Sequence, residues 1–293
     1  MKKKIFVSGA RGFQGANIAK QFLAEGNEVV SLSSKDEHAS IAGLKFTKGG
    51  FQDTKALDSV LQNVDVAVYT FPLIFDLELA KKYTANFIAS AERQNVPLVI
   101  FNTGFDLPRQ NTGMLGLDLK VEINSLFESS NLDVITLIPD VYIDNLAAPW
   151  SIPVILQNGI LPYPIASGEK IPWISHIDLA KSIVSAASKP ELAKSVLPIG
   201  GHLYTGEEIA KTISNHIGKP VQFVAVAPDD FEKQIAPSFG ALAAREISNL
   251  YRYVAQNKKE LIHKNFEGTQ QVLSIQHQPL EDWVKSIKWE MPA

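Results

Sequence analysis

Three glycines with regular spacing follow a short apolar run near the start of the chain. Gly9, Gly12 and Gly15 come directly after residues 5–8, which read Ile-Phe-Val-Ser. Glycine allows the main chain to turn tightly and to approach a ligand closely, and the N–H groups that begin a helix attract an anion. The spacing therefore predicts a loop that holds a pyrophosphate group. The residues predicted to contact the phosphates are Gly9, Arg11, Gly12, Phe13, Gln14 and Gly15.

A strand and a helix are predicted to position this loop. The apolar run 5–8 is typical of a buried parallel strand, and the apolar residues from Ala16 to Leu23 recur at helical spacing. Glycines between a strand and a helix are typical of dinucleotide-binding folds, although the spacing here is G-x-x-G-x-x-G and the commonest form is G-x-G-x-x-G. The alternative interpretation is an ordinary tight turn without a ligand.

Polar residues after the second predicted strand indicate which dinucleotide is bound. An acidic side chain at this position holds the ribose hydroxyls of NAD, whereas the 2′-phosphate of NADP favours hydroxyl groups and cations. The sequence has hydroxyls and cations here, so NADP(H) is favoured over NAD(H). The alternative is that the cations are solvated and that Asp36 or Glu37 serves NAD. The residues predicted to bind the phosphate are Arg11, Ser33, Ser34 and Lys35.

Short apolar runs alternate with helix-period segments through the first half of the chain. Repeated β-α-β units predict an α/β fold, namely a doubly wound parallel Rossmann sheet with a smaller C-terminal substrate lobe. The helix after the third strand is predicted to begin at Asp53, a good N-cap. The predicted strands are 28–32, 44–47, 64–70, 98–103 and 134–138.

Ligands on such a sheet bind beyond the carboxyl ends of the strands. The strand-end residues that we expect to contact the cofactor are Phe51, Thr70, Phe71, Pro72, Asn102, Thr103 and Pro139.

The pattern changes after residue 145, where prolines interrupt the alternation and an irregular segment with Trp150, Tyr163 and Trp173 is expected. We predict that residues 1–145 form an NAD(P)-binding Rossmann domain. Residues 146–293 are predicted to form mainly a substrate-binding lobe, with about 171–200 packing back on the Rossmann sheet. The three aromatic side chains are expected to cover a small-molecule substrate.

The composition excludes several classes of function. The formal net charge is −3 and the charges are mixed in sign, so no basic surface for nucleic acid is expected. The chain has no cysteine, which removes disulfides and thiolate nucleophiles, and its histidines show no metal-ligand spacing. No apolar run approaches the ~20 residues of a membrane span. We therefore expect a cytoplasmic protein without a metal, nucleic-acid or membrane partner.

Several segments later in the chain occur in the same order as in a known family. These segments are 64–72, 85–91, 174–180, 204–210 and 218–221. Together with the glycine loop they resemble the NmrA-like group of atypical short-chain dehydrogenases/reductases, over nearly the whole chain. This group includes quinone reductases, isoflavone-reductase-type enzymes and regulators that bind NADP without turning it over. The resemblance implies a Rossmann fold and NADP binding, with the loop at 70–72 beside the nicotinamide.

Two segments depart from the pattern of this group. Relatives usually carry Gly-Asp after the third strand, where this chain has Gly49-Gly50-Phe51, so adenine contacts are expected to fall to Phe51 and the main chain. The sixth strand of relatives tends to end in Arg-Pro-Gly, where this chain has Ile138-Pro139-Asp140. Asp140 is interpreted as an acid in a surface loop.

The resemblance also implies catalytic residues. The Tyr-x-x-x-Lys pair of the superfamily corresponds to Gly116 and Lys120, so the lysine is present and the tyrosine is not. Lys120 is expected to bind the nicotinamide ribose and to act as an acid or base. Thr103 lies in the neighbourhood of the family's serine and is expected to contact the carboxamide, the alternative being an ordinary strand-end hydroxyl. Tyr142 is the nearest candidate for a substitute proton donor, the alternative being a packing role.

Three functions are weighed on this basis. The favoured one is an NADP(H)-dependent reductase that transfers hydride to a quinone-like, carbonyl or conjugated small molecule. The alternative is a non-catalytic NADP(H) sensor with a protein partner, which the missing tyrosine favours. A nucleotide-sugar epimerase is the weakest, because its chemistry needs a strong base on a substrate hydroxyl.

Overall fold

The computed structural model describes residues 2–35, 41–70 and 73–291. The chain divides into two compact units. The first unit comprises Met1–Pro139, His176–Ile199 and Gly268–Ile275, and the second comprises Asp140–Ser175, Gly200–Glu267 and Gln276–Ala293. None of the described helices combines the length and the apolar character needed to cross a lipid bilayer.

The strands alternate with helices through the first unit and are shorter and more scattered in the second. The strands are β1 (Lys4–Val7), β2 (Glu28–Ser33), β3 (Leu44–Lys48), β4 (Val66–Thr70), β5 (Val99–Asn102), β6 (Val134–Pro139), β7 (Val141–Tyr142), β8 (Ile160–Tyr163), β9 (Ile171–Ile174), β10 (Val196–Ile199), β11 (His202–Tyr204) and β12 (Gln222–Ala225). The helices are α1 (Phe13–Ala24), α2 (Thr54–Leu61), α3 (Leu77–Arg93), α4 (Leu115–Glu128), α5 (Ile152–Asn158), α6 (His176–Ala187), α7 (Gly206–Ile217), α8 (Pro228–Phe239), α9 (Ala241–Ile262), α10 (Phe266–Leu273) and α11 (Leu280–Ser286).

A parallel sheet forms the centre of the first unit. Within the described residues it has seven strands in the order β10-β6-β5-β4-β1-β2-β3, and every neighbouring pair is parallel. The chain winds outward from β1 in both directions, so the order reverses between β1 and β4, where Rossmann folds bind their ligand. The predicted fold class, a doubly wound parallel Rossmann sheet, is confirmed.

The local sequence explains why these elements form. Ile5, Phe6 and Val7 of β1 are completely buried, as expected for a strand that is covered by helices on both faces. Asp53 accepts a hydrogen bond from the Ala56 N–H at 3.0 Å and begins α2, as the sequence predicted. The predicted strands 28–32, 44–47 and 134–138 differ from β2, β3 and β6 by one residue at the carboxyl end.

The second unit contains two small sheets and most of the later helices. Strands β11, β9 and β7 form one sheet, and β12 pairs with β8 in the other. Thr205 and Glu208 form a reciprocal capping box at the start of α7. Helices α8 and α9 pack together, and Arg252 of α9 bonds both Asp229 and Glu232 of α8.

The segment after residue 145 contains regular elements, in contrast to the irregular segment expected from its prolines. Pro153 lies in the first turn of α5, where the missing N–H has no helical partner in any case. Pro162 lies in β8, which pairs with β12 alone among the described strands. Pro172 lies in β9, and β7 pairs with that strand only beyond the proline, from Trp173 onward.

Candidate active site

The glycine loop connects β1 to α1 in the first unit. Gly9 has φ +62°, in the left-handed region, and its carbonyl accepts a hydrogen bond from the Gly12 N–H at 2.8 Å. A Cβ at Gly15 would lie 2.3 Å from the Gly9 carbonyl oxygen, so no side chain fits there. Gly12 is the N-cap of α1 and has no side chain to cap it. The main-chain N–H groups at this helix start have the direction and the dipole that attract a phosphate.

Arg11 extends from this loop across the neighbouring strand. Its guanidinium carbon lies 4.9 Å from the ring centroid of Phe46 in β3, in a cation–π contact. Phe46 pairs with Ser31, two residues before the end of β2. The contact of Arg11 with a 2′-phosphate stays a prediction.

The residues after β2 have different exposures. Lys35 and Ser34 are exposed, whereas Ser33 is buried. The Ser33 hydroxyl accepts a hydrogen bond from the Lys35 N–H at 3.1 Å and donates to the Lys35 carbonyl at 3.2 Å, which fixes the turn. The charge of Lys35 and the hydroxyl of Ser34 thus remain the exposed groups, and Ser33 shapes the loop that presents them. Asp36 and Glu37 lie outside the described residues.

The ends of β4 and β5 lie beside the glycine loop. Asn102, completely buried at the end of β5, donates to the side-chain oxygen of Gln14 at 2.9 Å. The Thr70 N–H at the end of β4 donates to the Ser8 hydroxyl at 2.7 Å, while the Thr70 hydroxyl oxygen is buried and has no hydrogen-bond partner among the described residues. A buried polar atom without a partner is typical of a position that a ligand or water completes. Phe71 and Pro72 lie outside the described residues.

Phe51 lies at the edge of the aromatic core of the first unit. Its ring contacts those of Tyr69 and Tyr83, with centroid distances of 5.5 and 6.4 Å. The Asn86 amide donates to the Phe51 carbonyl at 2.9 Å and holds this loop. Phe51 as a whole residue is half-buried.

Lys120 is buried in α4 and contacts the loop after β5. Its Nζ donates to the Thr103 carbonyl oxygen at 2.6 Å. Burial lowers the pKa of Lys120 to about 7, and the negative charge of Asp106 opposes that shift. Both protonation states of the amine are therefore populated near neutral pH. Asp106, itself buried, carries no motif that could have identified it from the sequence.

The other predicted residues of this region have structural contacts. The Thr103 side chain is completely buried, and its hydroxyl donates to the Phe105 carbonyl at 2.5 Å. Pro139 is buried at the end of β6. Gly116, at the position of the family tyrosine, is buried in the first turn of α4, one helical turn before Lys120. Thr103 thus contributes its carbonyl to the lysine and its hydroxyl to the main chain.

Tyr142 and Asp140 belong to the second unit. Tyr142 is buried in β7, where it pairs with Ile174 of β9. The interpretation of Asp140 as a surface-loop acid is wrong, because only 2% of the residue is exposed and its carboxylate lies 3.7 Å from Lys264 Nζ. A distant residue supplies this ion pair, so local sequence could not reveal it.

The second unit contains a cavity of about 580 Å³. Trp150 and Tyr163, two of the three aromatic residues singled out in the sequence, line it. Trp173 is completely enclosed behind Tyr163 and donates from its indole to the Tyr204 carbonyl at 3.1 Å. Phe231, Phe239 and Tyr251 complete the aromatic lining from α8 and α9. The sequence after residue 226 predicted helices, but nothing in it indicated that these helices would line a cavity.

Known proteins resemble this chain in sequence and in fold. The model of the NmrA-like family matches residues 1–284. An NAD(P)H azoreductase from Xenophilus azovorans is 24% identical over 227 residues, which cover 76% of this chain and 77% of that protein.

Two solved structures superpose on almost the whole chain. A nucleoside-diphosphate-sugar epimerase from Staphylococcus aureus has a TM-score of 0.79 at 20% identity and covers 98% of this chain and 100% of its own. A triphenylmethane reductase from Citrobacter sp., complexed with NADP(H), has a TM-score of 0.78 at 15% identity and covers 96% of this chain and 99% of its own. At these identities the superpositions establish the common fold only. The activity has to be argued from the residues of the site.

Proposed function

Because the chain belongs to the NmrA-like family, we propose that it is a reductase that uses NADPH in preference to NADH and transfers hydride to a conjugated small molecule. Quinones, dyes and conjugated carbonyl compounds are the acceptors proposed. The activities named for the Xenophilus azoreductase and the Citrobacter triphenylmethane reductase support this choice, since these names describe the reduction of azo and triphenylmethane compounds.

The first unit has the features that a dinucleotide needs. The close approach of Gly15 to Gly9 makes a cradle that any Cβ would fill, and the Thr70 hydroxyl oxygen is buried without a partner among the described residues. A bound NAD(P)H supplies the hydride for the reaction. The side chains proposed to hold it are those of Arg11, Gln14, Ser34, Lys35, Phe51, Thr70, Asn102 and Lys120, together with the main chain of the glycine loop.

The proposal rests mainly on the buried environment of Lys120. A buried amine with a pKa near 7, anchored to the Thr103 carbonyl beyond the end of β5, is unusual for a purely structural lysine. Its Nζ can hold the ribose hydroxyls as a donor, and it can hold or release a proton at neutral pH. Quinone-like acceptors also take protons from water once they are reduced, so the reaction does not need the tyrosine that Gly116 replaces.

The proposed preference for NADPH depends on Arg11 and Lys35. Each can form a charge-assisted contact with the 2′-phosphate, worth about 1.5–3 kcal/mol. Calorimetric titration should show tighter binding of NADPH than of NADH, and Arg11→Ala should weaken NADPH much more than NADH. Equal affinities of the two cofactors for the wild-type protein would contradict the preference.

The proposal is tested by NADPH oxidation with purified protein and a panel of quinones, azo dyes, enones and aldehydes. We expect turnover with at least one conjugated acceptor. Lys120→Ala should lower kcat by about tenfold or more while the NADPH dissociation constant changes much less, because the lysine fixes the nicotinamide end and the phosphates hold the rest. Lys82→Ala, which removes an exposed lysine of α3, is the matched control.

A non-catalytic NADP(H) sensor is the second candidate, and Gly116 is the observation that favours it. Without the tyrosine, α4 offers no hydroxyl one turn before Lys120. A sensor would bind NADPH in calorimetry yet oxidise it no faster than buffer with every acceptor of the panel. It would also differ between NADPH and NADP in its affinity for a protein partner, which pull-down in the presence of each form would detect.

A further inference from the structure

The cavity of the second unit is lined by side chains without formal charge. The walls come from α5, β8, β12, α8 and α9, and no described residue that lines the cavity is an aspartate, glutamate, lysine, arginine or histidine. Its volume, about 580 Å³, is within the range of small-molecule sites. An ion that entered this cavity would lose its hydration without gaining a charged partner, at a large cost in free energy.

Aromatic rings form much of the lining. The rings of Trp150 and Phe239 meet edge to face, with their centroids 5.4 Å apart. Phe231 and Tyr251 make a similar contact at 5.4 Å. Such surfaces contact flat aromatic ligands well, because a ring of the ligand can pack on the faces and edges that these pairs present.

Two tyrosines of this lining are joined through their hydroxyls, and its other polar side chains are Asn145, Ser151, Gln234 and Ser238. The hydroxyl oxygens of Tyr163 and Tyr251 lie 2.5 Å apart, and the Asn145 amide donates to the Tyr163 oxygen at 3.3 Å. The two phenols carry two protons, and the bond between them uses one. The second proton is left for an acceptor outside the pair, whichever phenol carries it. Both residues line the cavity, so a bound molecule can supply that acceptor.

The environment keeps both phenols protonated. Burial raises the pKa of Tyr251 to about 12 and raises the pKa of Tyr163 well above its ordinary value. The pair is therefore a hydrogen-bond donor throughout the neutral range.

We propose that the cavity binds an uncharged, flat aromatic molecule that carries a carbonyl, azo or similar acceptor atom, and that the Tyr163–Tyr251 pair donates a hydrogen bond to that atom. The pair is thus a specificity determinant. The identification of this molecule as the substrate rests on the proposed reductase function; the binding itself does not.

Three probes of similar shape separate the two parts of the proposal. Naphthoquinone has acceptor oxygens and no charge, naphthalene lacks the oxygens, and naphthoquinone sulfonate adds a negative charge. Isothermal titration of the wild-type protein without NADPH should give the tightest binding for naphthoquinone. Binding of naphthalene should be weaker by about three- to tenfold, the effect of one neutral hydrogen bond. Binding of the sulfonate should be weaker than that of naphthoquinone by at least tenfold.

The double variant Tyr163→Phe/Tyr251→Phe removes both hydroxyls and retains the rings. It should bind naphthoquinone and naphthalene with nearly equal affinity. Tyr253→Phe is the matched control, since it makes the same change on α9 at a residue outside the cavity lining and should keep the preference. Thermal unfolding of each variant shows whether it is folded. If the double variant fails to fold, the comparison of the three probes on the wild-type protein still tests the proposal, because a single variant would keep one phenol proton as a donor.

Several outcomes would overturn the inference. These are equal binding of naphthoquinone and naphthalene by the wild-type protein, binding of the sulfonate as tight as that of naphthoquinone, or a preference for naphthoquinone that survives the double variant. The assay contains no NADPH and measures no turnover. A failure here therefore leaves the reductase proposal standing, and absence of turnover leaves the binding result standing.

Discussion

The environment of Lys120 links its burial to its chemistry. An ammonium group in a protein interior is destabilised by the loss of hydration, and the carbonyl of Thr103 and the charge of Asp106 compensate only in part. A side chain with a pKa near 7 changes its charge close to neutral pH. Burial lowers the pKa of Lys120, and for the same reason the stability of the fold depends on the protonation of this side chain.

The pH dependence of stability should reveal this titration. The pKa of Lys120 is about 7 in the folded chain, below its ordinary 10.5, so between these values the unfolded chain holds a proton that the folded chain lacks. Raising the pH then favours the folded state. Relative to Lys120→Met, the free energy of unfolding of the wild-type protein should rise from pH 7 towards pH 10 by up to about 1.4 kcal/mol per pH unit.

Urea denaturation of both proteins across this range is the measurement, with Lys82→Met as a control for an exposed lysine. Below pH 7 the difference between wild type and Lys120→Met should become constant, because the amine is protonated in both states. A difference that stays constant from pH 6 to pH 10 would show that the amine has an ordinary pKa.

The places of single residues were predictable where a motif defined them. Gly9, Gly12 and Gly15 lie at the predicted turn from strand to helix, and Lys120 lies on a helix after β5, while their roles stay predictions. The partners Asp140–Lys264 and Tyr163–Tyr251 were not predictable, because they are 124 and 88 residues apart in the chain. Nothing local in the sequence specifies which distant side chain a buried polar group will meet.

At the level of elements, the turn from β1 into α1 combines two different requirements for glycine. Gly15 has no room for a side chain, since its Cβ would lie 2.3 Å from the Gly9 oxygen, whereas a Cβ at Gly12 would lie at an ordinary 3.4 Å. Gly12 also has φ −84° and ψ 168°, which other residues adopt readily. Gly15 is therefore needed for the fold. Gly12 is not needed for the fold, and its lack of a side chain can serve a ligand.

Two substitutions should separate these roles. Gly15→Ala should destabilise the protein by about 1–3 kcal/mol, because the loop and α1 must move apart. Gly12→Val should lower the free energy of unfolding by no more than about 1 kcal/mol, the cost of valine at an N-cap, and should abolish NADPH binding, since its side chain would occupy the place where the pyrophosphate approaches the main chain. Chemical denaturation and calorimetric titration measure the two effects. Normal NADPH binding by a folded Gly12→Val protein would show that the turn is purely structural.

Elements with a clear pattern of apolar residues or a clear N-cap were predicted well from the sequence. Strands that depend on pairing with distant strands were not. Strands β2, β3 and β6 and the start of α2 followed from apolar runs and an N-cap. The strands β8 and β9 were missed because Pro162 and Pro172 are poor strand residues. The two prolines are tolerated because of where each lies relative to the strands that pair with β8 and β9. The sequence does not reveal this pairing.

At the scale of the whole molecule, the first unit is assembled from separated parts of the chain. Residues 176–199 supply α6, which packs on α1, and β10, which pairs with β6. The boundary that the sequence predicts lies at residue 145, with about 171–200 packing back on the Rossmann sheet, and a cut at residue 145 would remove both elements. A fragment of residues 1–145 would expose an apolar face of α1 and the hydrogen-bonding edge of β6.

Such a fragment should fail to fold. We expect circular dichroism of fragment 1–145 to show no cooperative thermal transition and calorimetry to show no NADPH binding, whereas the full chain should show both. A cooperative transition together with NADPH binding by the fragment would mean that the later segments are dispensable for the Rossmann unit.

The path of the chain has a further consequence for how the molecule responds to a protease. The chain passes from one unit to the other after residues 139, 175, 199, 267 and 275. A single cut near residue 150 would therefore leave two pieces that each contain part of both units. The pieces would stay associated through the β6–β10 pairing and the packing of α1 on α6, so the nicked protein should migrate as one species under native conditions and as two in detergent.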